Sequence, residues 1–289
     1  MHKDKESIIK KKLYIFCFLF LGIIPISNSV AQHKFKTVRD TTKYNERSFD
    51  VKIFRTFNNI KGSFVHSVIN ITNESLIPVG IGTPIVMYIA ARINENHYDE
   101  NSAVLLALSE VTNEILTQGL KKTIRRNRPF KTLNNVNYTD ISKVKGTYSF
   151  PSGHASGSFA IATSLTLRYP DKPVLIAGLY AYALTVSLGR IYWGVHYPSD
   201  VFTGMLVGAG SAALIYSLRK PIIKAKNNLF NQSERTDNYQ GEVNTTAILL
   251  SFAVSDLLNF YFTNSGSKIL NNSNINLSPS GNLNYTFTF

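Results

Sequence analysis

An all-α fold is predicted from this 289-residue sequence: a bundle of helices with a small β element at the C-terminus. Apolar residues recur at helical spacing through most of residues 50–218. Within this region, residues 76–91 and 173–188 are apolar almost throughout, which is typical of buried or membrane-spanning helices. The last eight residues, 282–289, instead alternate between polar and apolar side chains, which is the pattern of a strand.

The N-terminus has the pattern of a secretory signal peptide. Three lysines at residues 10–12 precede an apolar run at residues 13–24, and small residues at positions 29 and 31 allow cleavage after Ala31. The run is shorter than the roughly 20 residues of a spanning helix, and an uncleaved anchor is the alternative. We therefore expect an exported protein, periplasmic or membrane-associated, whose functional residues face the periplasm. Its mature chain would contain no cysteine, because the single cysteine, Cys17, lies in this run.

The first half of the predicted bundle follows a polar lead-in at residues 32–49. Residues 51–69 indicate one or two amphipathic helices interrupted near Gly62, and residues 76–91 indicate a buried or membrane-spanning helix. Residues 103–120 form a further helix, which polar side chains make amphipathic. That helix must end by Asn127 or Arg128, because Pro129 disfavours helical backbone in the residue before it.

The second half consists of a polar loop at residues 130–150 and helices at residues 155–169, 173–188 and 200–218. Three glycines in the last helix would permit close approach of a neighbouring helix. The composition changes after Lys220, which separates a helical domain at 50–220 from a polar linker at 221–244 and a C-terminal extension at 245–289. Residues 245–262 are apolar without distinguishing helix from strand.

The formal net charge of +13 favours anionic partners. Phosphorylated substrates, anionic lipid surfaces and nucleic acid all carry such charge, and a basic soluble surface is the plain alternative. We expect no nucleic-acid partner, because the basic cluster at residues 121–128 has neither interleaved aromatic residues nor a known binding motif.

Two clusters offer anion-binding groups. Lys121 and Arg128 are seven residues apart, which on a helix places both on one face. There they could hold neighbouring phosphate oxygens, or they could form a solvated basic helix end. Ser152, Gly153 and His154 stand where the next helix starts, and free N–H groups at a helix start bind anions. Ser152 also fits a simple N-cap.

A third cluster contains Arg190, His196 and Asp200. His196 and Asp200 are four residues apart, close to a helix start that opens with Pro198. A carboxylate at that spacing can accept the N–H of one imidazole nitrogen and leave the other nitrogen available as a nucleophile. Asp200 would otherwise be an ordinary helix-start residue.

The three clusters occur in the order Lys-x6-Arg-Pro, Pro-Ser-Gly-His and Arg-x5-His-x3-Asp. Together they resemble the type 2 phosphatidic acid phosphatase superfamily, which also includes bacterial acid phosphatases and vanadium haloperoxidases. The resemblance covers residues 50–218. It implies that His196 forms a phosphohistidine, that Asp200 orients it, and that His154 protonates the leaving oxygen and then activates water. The phosphoryl oxygens would be held by Lys121, Arg128, Ser152, Gly153 and Arg190.

One residue departs from the family pattern. The position before Arg190 is usually serine in that family and is Gly189 here, from which we expect tuning of the site rather than loss of activity.

The residues also support phosphoryl transfer on physical grounds, since that reaction needs in-line positioning and neutralisation of the equatorial oxygens. The sequence has no carboxylate cluster suited to Mg²⁺, and we expect a metal-independent phosphatase without a cofactor. The substrate would be a lipid phosphate if the apolar helices span a membrane, and a small phosphomonoester if they do not. The alternatives are a non-specific acid phosphatase, a haloperoxidase holding vanadate in the same anion site, and a non-catalytic protein of the membrane surface.

Overall fold

A computed structural model of the chain describes residues 47–137, 144, 146–230, 236–239, 245, 248–250, 252–254, 273–277 and 283–287. The expected signal peptide, its cleavage site and Cys17 lie outside the described residues.

The described residues form helices followed by one hairpin. The helices are α1 (Phe49–Asn58), α2 (Ser63–Ile93), α3 (His97–Ile124), α4 (Pro129–Thr132), α5 (Gly153–Arg168), α6 (Pro173–Tyr192), α7 (Pro198–Ser217) and α8 (Arg219–Leu229). The strands β1 (Ser273–Leu277) and β2 (Leu283–Phe287) pair antiparallel, with Ser273 opposite Phe287. The predicted helical fold is confirmed, and the strand expected near residues 282–289 is present as β2.

Helix boundaries differ from the expectation in two places that matter for the site. Helix α2 continues through Pro78 and Pro84 as one element, rather than starting anew at residue 76. Helix α3 ends at Ile124, because Arg125 takes a left-handed conformation with φ of 52°. The expectation that Lys121 and Arg128 share a helix face is therefore wrong, since the chain turns between them.

The segment after α7 is also more ordered than its composition indicated. Residues 221–229, expected as linker, belong to α8, where Lys226 donates to Glu100 Oε1 at 2.9 Å. Both side chains are buried, and each compensates the charge of the other. Residues 248–250 and 252–254 are helical, and Ile248 is buried in the main apolar core together with Met87.

Helices α5 and α7 approach so closely that their contact leaves no room for side chains. A Cβ on Gly208 would lie 1.9 Å from the Ser156 carbonyl oxygen, and one on Gly204 would lie 2.5 Å from that of Ser152. The same contact brings the two helix starts together, and Ser152 N donates to Asp200 O at 2.9 Å. The predicted role is thus confirmed for Gly204 and Gly208 but not for Gly210, where a Cβ would meet no atom within 4 Å. The contact places the second and third sequence clusters side by side.

Three of the described helices, α2, α6 and α7, are long and apolar enough to cross a membrane. The outer face of α2 carries an exposed isoleucine at every fourth position: Ile77, Ile81, Ile85, Ile89 and Ile93. A stripe of this kind on a helix that is apolar on its inner face as well is typical of contact with lipid.

Candidate active site

All eight residues expected at the site lie at one end of the bundle. Lys121 is in the last turn of α3, Arg128 directly precedes α4, and Arg190 is in the last turn of α6. Ser152, Gly153 and His154 form the start of α5, His196 lies in the loop before α7, and Asp200 is in the first turn of α7. Three separate sequence clusters therefore meet in space.

His196 is buried, and its Nε2 atom lies 3.1 Å from Arg128 Nη1. A guanidinium group can only donate hydrogen bonds, so Nε2 must be the nitrogen that carries the lone pair. The ring proton then resides on Nδ1. Burial, followed by the charges of Arg128, Lys121 and Arg190, holds the pKa of His196 well below its usual range. The ring is therefore neutral and presents one nucleophilic nitrogen.

Asp200 lies next to His196 without a hydrogen bond to it. Its Oδ2 atom is 3.7 Å from His196 Nδ1, and it accepts a hydrogen bond from Tyr197 N at 2.8 Å. The other oxygen, Oδ1, accepts from Arg126 Nη1 at 2.7 Å. The expected contact between Asp200 and His196 is thus longer than a hydrogen bond, as is common in catalytic sites without substrate.

His154 is the second residue of α5 and is partly accessible. Its pKa is lowered well below the usual range by burial first, and then by the charges of Arg190, His196, Arg128 and Lys121. These influences place His154 within electrostatic reach of the other site residues. An arriving phosphate would offset the surrounding positive charge and favour the protonated ring.

Three cations of the site are held by neutral oxygen atoms. Lys121 Nζ donates to the carbonyl oxygens of Pro151 at 2.6 Å and Tyr148 at 3.3 Å. Arg128 donates to the carbonyl oxygens of Val195 at 3.0 Å and of residue 146. Arg190 Nη1 donates to Asn73 Oδ1 at 3.1 Å. Neutral acceptors orient a cation without cancelling its charge, so these groups keep their attraction for an anion.

Burial lowers the pKa of Lys121 and of Arg128. The pKa of Lys121 falls to about 8, through burial first and then through the charge of Arg128. The pKa of Arg128 falls to about 10 for the same first reason. Arg128 therefore stays charged at neutral pH, whereas Lys121 approaches its titration range.

Ser152 acts as the N-cap of α5. Its fully buried Oγ atom accepts a hydrogen bond from Ala155 N at 3.4 Å. The simple interpretation of Ser152 is therefore present in the structure, and a contact with phosphate is a separate expectation. Gly153 follows as the first residue of α5, where a free N–H group points out of the helix end.

Arg126 was not predicted as a site residue, although it lies inside the first basic cluster. Its guanidinium donates to Ser199 Oγ at 2.6 Å, to Asp200 Oδ1 at 2.7 Å and to Asp50 Oδ2 at 2.7 Å. It also stacks 4.0 Å from the centre of the Tyr197 ring. Sequence patterns relate only residues that are near one another in the chain. Asp50 stands at the start of a predicted amphipathic helix, and no spacing in the sequence connects it to residues 126 and 200.

The described part of the chain contains no group of three or more His, Cys, Asp or Glu side chains arranged to hold a metal ion. The chemistry that the described residues can supply is a neutral imidazole nucleophile, a second imidazole that can exchange a proton, and a group of cations.

Comparison with known proteins finds one matching family model and several similar proteins. Residues 102–224 match the family model described as the PAP2 superfamily. An undecaprenyl-diphosphatase of Sulfolobus acidocaldarius is 39% identical over 107 residues, which are 37% of this chain and 50% of that protein. A lipid A 4'-phosphatase of Bacteroides thetaiotaomicron is 30% identical over 93 residues, which are 32% of this chain and 41% of that protein. The chain thus spans half or less of the length of these two relatives.

Among solved structures, the crystal structure of Aquifex aeolicus LpxE matches with a TM-score of 0.48 and 27% sequence identity. The match covers 59% of this chain and 96% of that chain.

Proposed function

We propose that the protein is a phosphatase of the PAP2 superfamily, whose family model matches residues 102–224, and that it acts on a lipid phosphate or diphosphate. The observation that carries the proposal is the buried His196, whose lone-pair nitrogen faces Arg128 at 3.1 Å. A nucleophile that is kept neutral beside fixed cations suits attack on a phosphoryl group.

The proposed reaction has two steps. His196 Nε2 attacks the phosphorus while the bond to the leaving oxygen breaks, and His154 gives its proton to that oxygen. The proton on Nδ1 remains on the ring and faces Asp200, whose charge offsets the positive ring of the phosphohistidine. In the second step His154 takes a proton from water, the water oxygen attacks phosphorus, and the bond from phosphorus to Nε2 breaks.

We further propose that charge compensation comes from the protein alone. Lys121, Arg128 and Arg190 would neutralise the equatorial oxygens, assisted by the N–H groups that Ser152 and Gly153 provide at the helix start. This arrangement would make turnover independent of an added metal ion or cofactor.

A lipid substrate is the choice supported by α2, α6 and α7, which can cross a membrane. If they do, the site lies at one end of a membrane-embedded bundle, where a lipid headgroup would meet the cations while its apolar chains stay in the bilayer. The two similar proteins described above, an undecaprenyl-diphosphatase and a lipid A 4'-phosphatase, support the same class of substrate. The N-terminal pattern supports export with the site facing the periplasm.

The proposal is tested with the full chain purified in detergent. Release of phosphate is measured from phosphatidic acid, a polyprenyl diphosphate and lipid A in mixed micelles, and from a soluble aryl phosphate, with and without a chelator. We expect lipid turnover that the chelator leaves unchanged and that His196→Ala abolishes. Full activity of His196→Ala on every substrate would contradict the mechanism, and vanadate-dependent bromide oxidation without phosphate release would indicate the haloperoxidase alternative.

A further inference from the structure

Gly189 sits against a side chain from another helix with no space between them. A Cβ at this position would lie 2.1 Å from Asn73 Nδ2 and 2.9 Å from Ile69 Cγ2. Both distances are far inside van der Waals contact. Any residue other than glycine would therefore displace the Asn73 amide or separate α2 from α6.

The Asn73 amide that Gly189 accommodates is held at both ends. Its Nδ2 atom donates to Ile69 O at 2.9 Å, and its Oδ1 atom accepts from Arg190 Nη1 at 3.1 Å. Because a carbonyl can only accept and a guanidinium can only donate, these two partners determine which way the amide points. Asn73 is 7% exposed, so the contact is shielded from water.

The acceptor for Arg190 is neutral, and this has an electrostatic consequence. Among the described residues no ion pair reaches Arg190, and its buried Nε atom has no hydrogen-bond partner there. Arg126 at the same end of the bundle is instead bound by the carboxylates of Asp50 and Asp200. An amide fixes one edge of the Arg190 guanidinium and leaves its full positive charge for an anion.

We propose that Asn73 is a positioning residue for Arg190, and that Gly189 supplies the space that lets Asn73 reach it. The inference rests on the proposed function, because it assigns the charge of Arg190 to a phosphoryl oxygen. The glycine that departs from the family pattern is then one half of a pair, and its partner comes from a helix more than a hundred residues earlier in the chain. The expected effect of Gly189 on the site is thereby explained, because the glycine makes room for a side chain of α2 that orients Arg190.

Asn73→Asp separates positioning from packing. The variant has nearly the same shape and keeps an acceptor for Arg190, but it adds a negative charge that neutralises the guanidinium. We expect the Kd for inorganic phosphate, measured by calorimetry on the detergent-solubilised full chain, to rise by about tenfold or more, with KM rising in parallel. The melting temperature should stay near that of the parent, because the new ion pair with Arg190 offsets the lost hydrogen bond from Nδ2 to Ile69 O. Thr72→Asp, which adds the same charge at the preceding residue, is the matched control and should leave phosphate binding within about twofold, since Thr72 does not contact Arg190.

The spatial half of the inference is tested by combining variants. Gly189→Ala should lower kcat/KM by about tenfold or more, because the new Cβ displaces the Asn73 amide. Asn73→Ala should have a similar effect, and adding Gly189→Ala to it should cost nothing further, since the displaced group is gone. Gly178→Ala is the control on the same helix, because a Cβ there meets no atom within 4 Å.

Two results would overturn the inference. One is a Kd for phosphate in Asn73→Asp equal to that of the parent. The other is strictly additive loss in the Asn73→Ala, Gly189→Ala double variant. Phosphate binding distinguishes failure of the positioning role from failure of the proposed function. A parent protein that binds phosphate but hydrolyses no substrate would refute the phosphatase function, and the Kd of Asn73→Asp would still decide whether Asn73 positions Arg190.

Discussion

Arg126→Ala removes the cation that holds Asp200 in place beside His196. In the parent, Arg126 binds Asp200 Oδ1 and Asp50 Oδ2 at 2.7 Å each. The Asp200 side chain has no exposed surface, so the variant leaves a buried carboxylate without its cationic partner, although the hydrogen bond from Tyr197 N remains. Breaking a buried ion pair by removing one partner typically costs 3–5 kcal/mol, and we expect about 3 kcal/mol because 19% of the Arg126 side chain is exposed.

The catalytic effect follows from the geometry. Asp200 Oδ2 already lies 3.7 Å from His196 Nδ1, and a displacement of about 1 Å at a catalytic group can cost roughly a hundredfold in rate. Because Arg126 is occupied by carboxylates rather than aimed at substrate, we expect kcat to fall by about two orders of magnitude with KM within about threefold. The melting temperature should fall by about 6–12 °C, as about 3 kcal/mol implies for a domain of this size.

The assay is phosphate release at saturating and limiting substrate, together with a thermal melt of the same preparation. Arg125→Ala is the matched control, because Arg125 is an exposed neighbour of the same type whose Nε donates only locally, to Lys122 O at 2.8 Å. The reasoning is refuted if Arg126→Ala retains kcat and melting temperature like the control. A rise in KM at unchanged kcat would instead make Arg126 a substrate contact.

Three further predictions follow from the helix contact, the lysine and the second histidine. Gly208→Ala should destabilise the fold by about 3 kcal/mol or more, because its Cβ would lie 1.9 Å from Ser156 O. Gly210→Ala is the control, since its Cβ would meet no atom within 4 Å, and thermal melts of the two variants are compared. In a pH profile, kcat/KM should fall as pH rises through about 8, because Lys121 loses its proton and its attraction for phosphate, and Lys121→Arg should move this fall to higher pH. His154→Ala should slow hydrolysis of an alkyl phosphate by about a hundredfold or more, and that of an activated aryl phosphate much less, because only the alkoxide leaving group needs a proton. Rates of enzyme phosphorylation are measured by rapid quench, and an equal fall on both substrates would contradict the role of His154 as the acid.

The helices were predictable because their signals are local. Apolar spacing gave residues 103–120 and 200–218 as helices close to the observed α3 and α7. Pro129 correctly placed the end of α3 before Arg128. Spacing alone could not reveal that Arg125 takes a left-handed conformation, which ends the helix at Ile124 and separates Lys121 from Arg128. The spacing of apolar residues does not predict the backbone conformation of a single residue.

The residues that support the site were not predictable, because each depends on a long-range contact. Asp50 and Arg126 are 76 residues apart, and Asn73 and Arg190 are 117 residues apart. The sequence did mark Gly189 as unusual, but the reason for a glycine there is the Asn73 side chain on another helix. Local patterns identify which residue types can do chemistry, whereas packing decides which of them are held in place.

The cations near His196 divide into two kinds by the charge of their partners, and this division explains the electrostatics of the site. Arg126 is bound by two carboxylates, so its charge is used within the protein to fix Asp200. Lys121 and Arg128 donate to main-chain carbonyl oxygens and Arg190 to an amide oxygen, and these neutral partners hold the cations in position while their charge persists. Burial first, and then this persisting charge, lowers the pKa of both imidazoles, which keeps His196 nucleophilic and leaves His154 neutral until a phosphate arrives. The same arrangement would therefore bind the anion, activate the nucleophile and couple protonation of the acid to substrate binding.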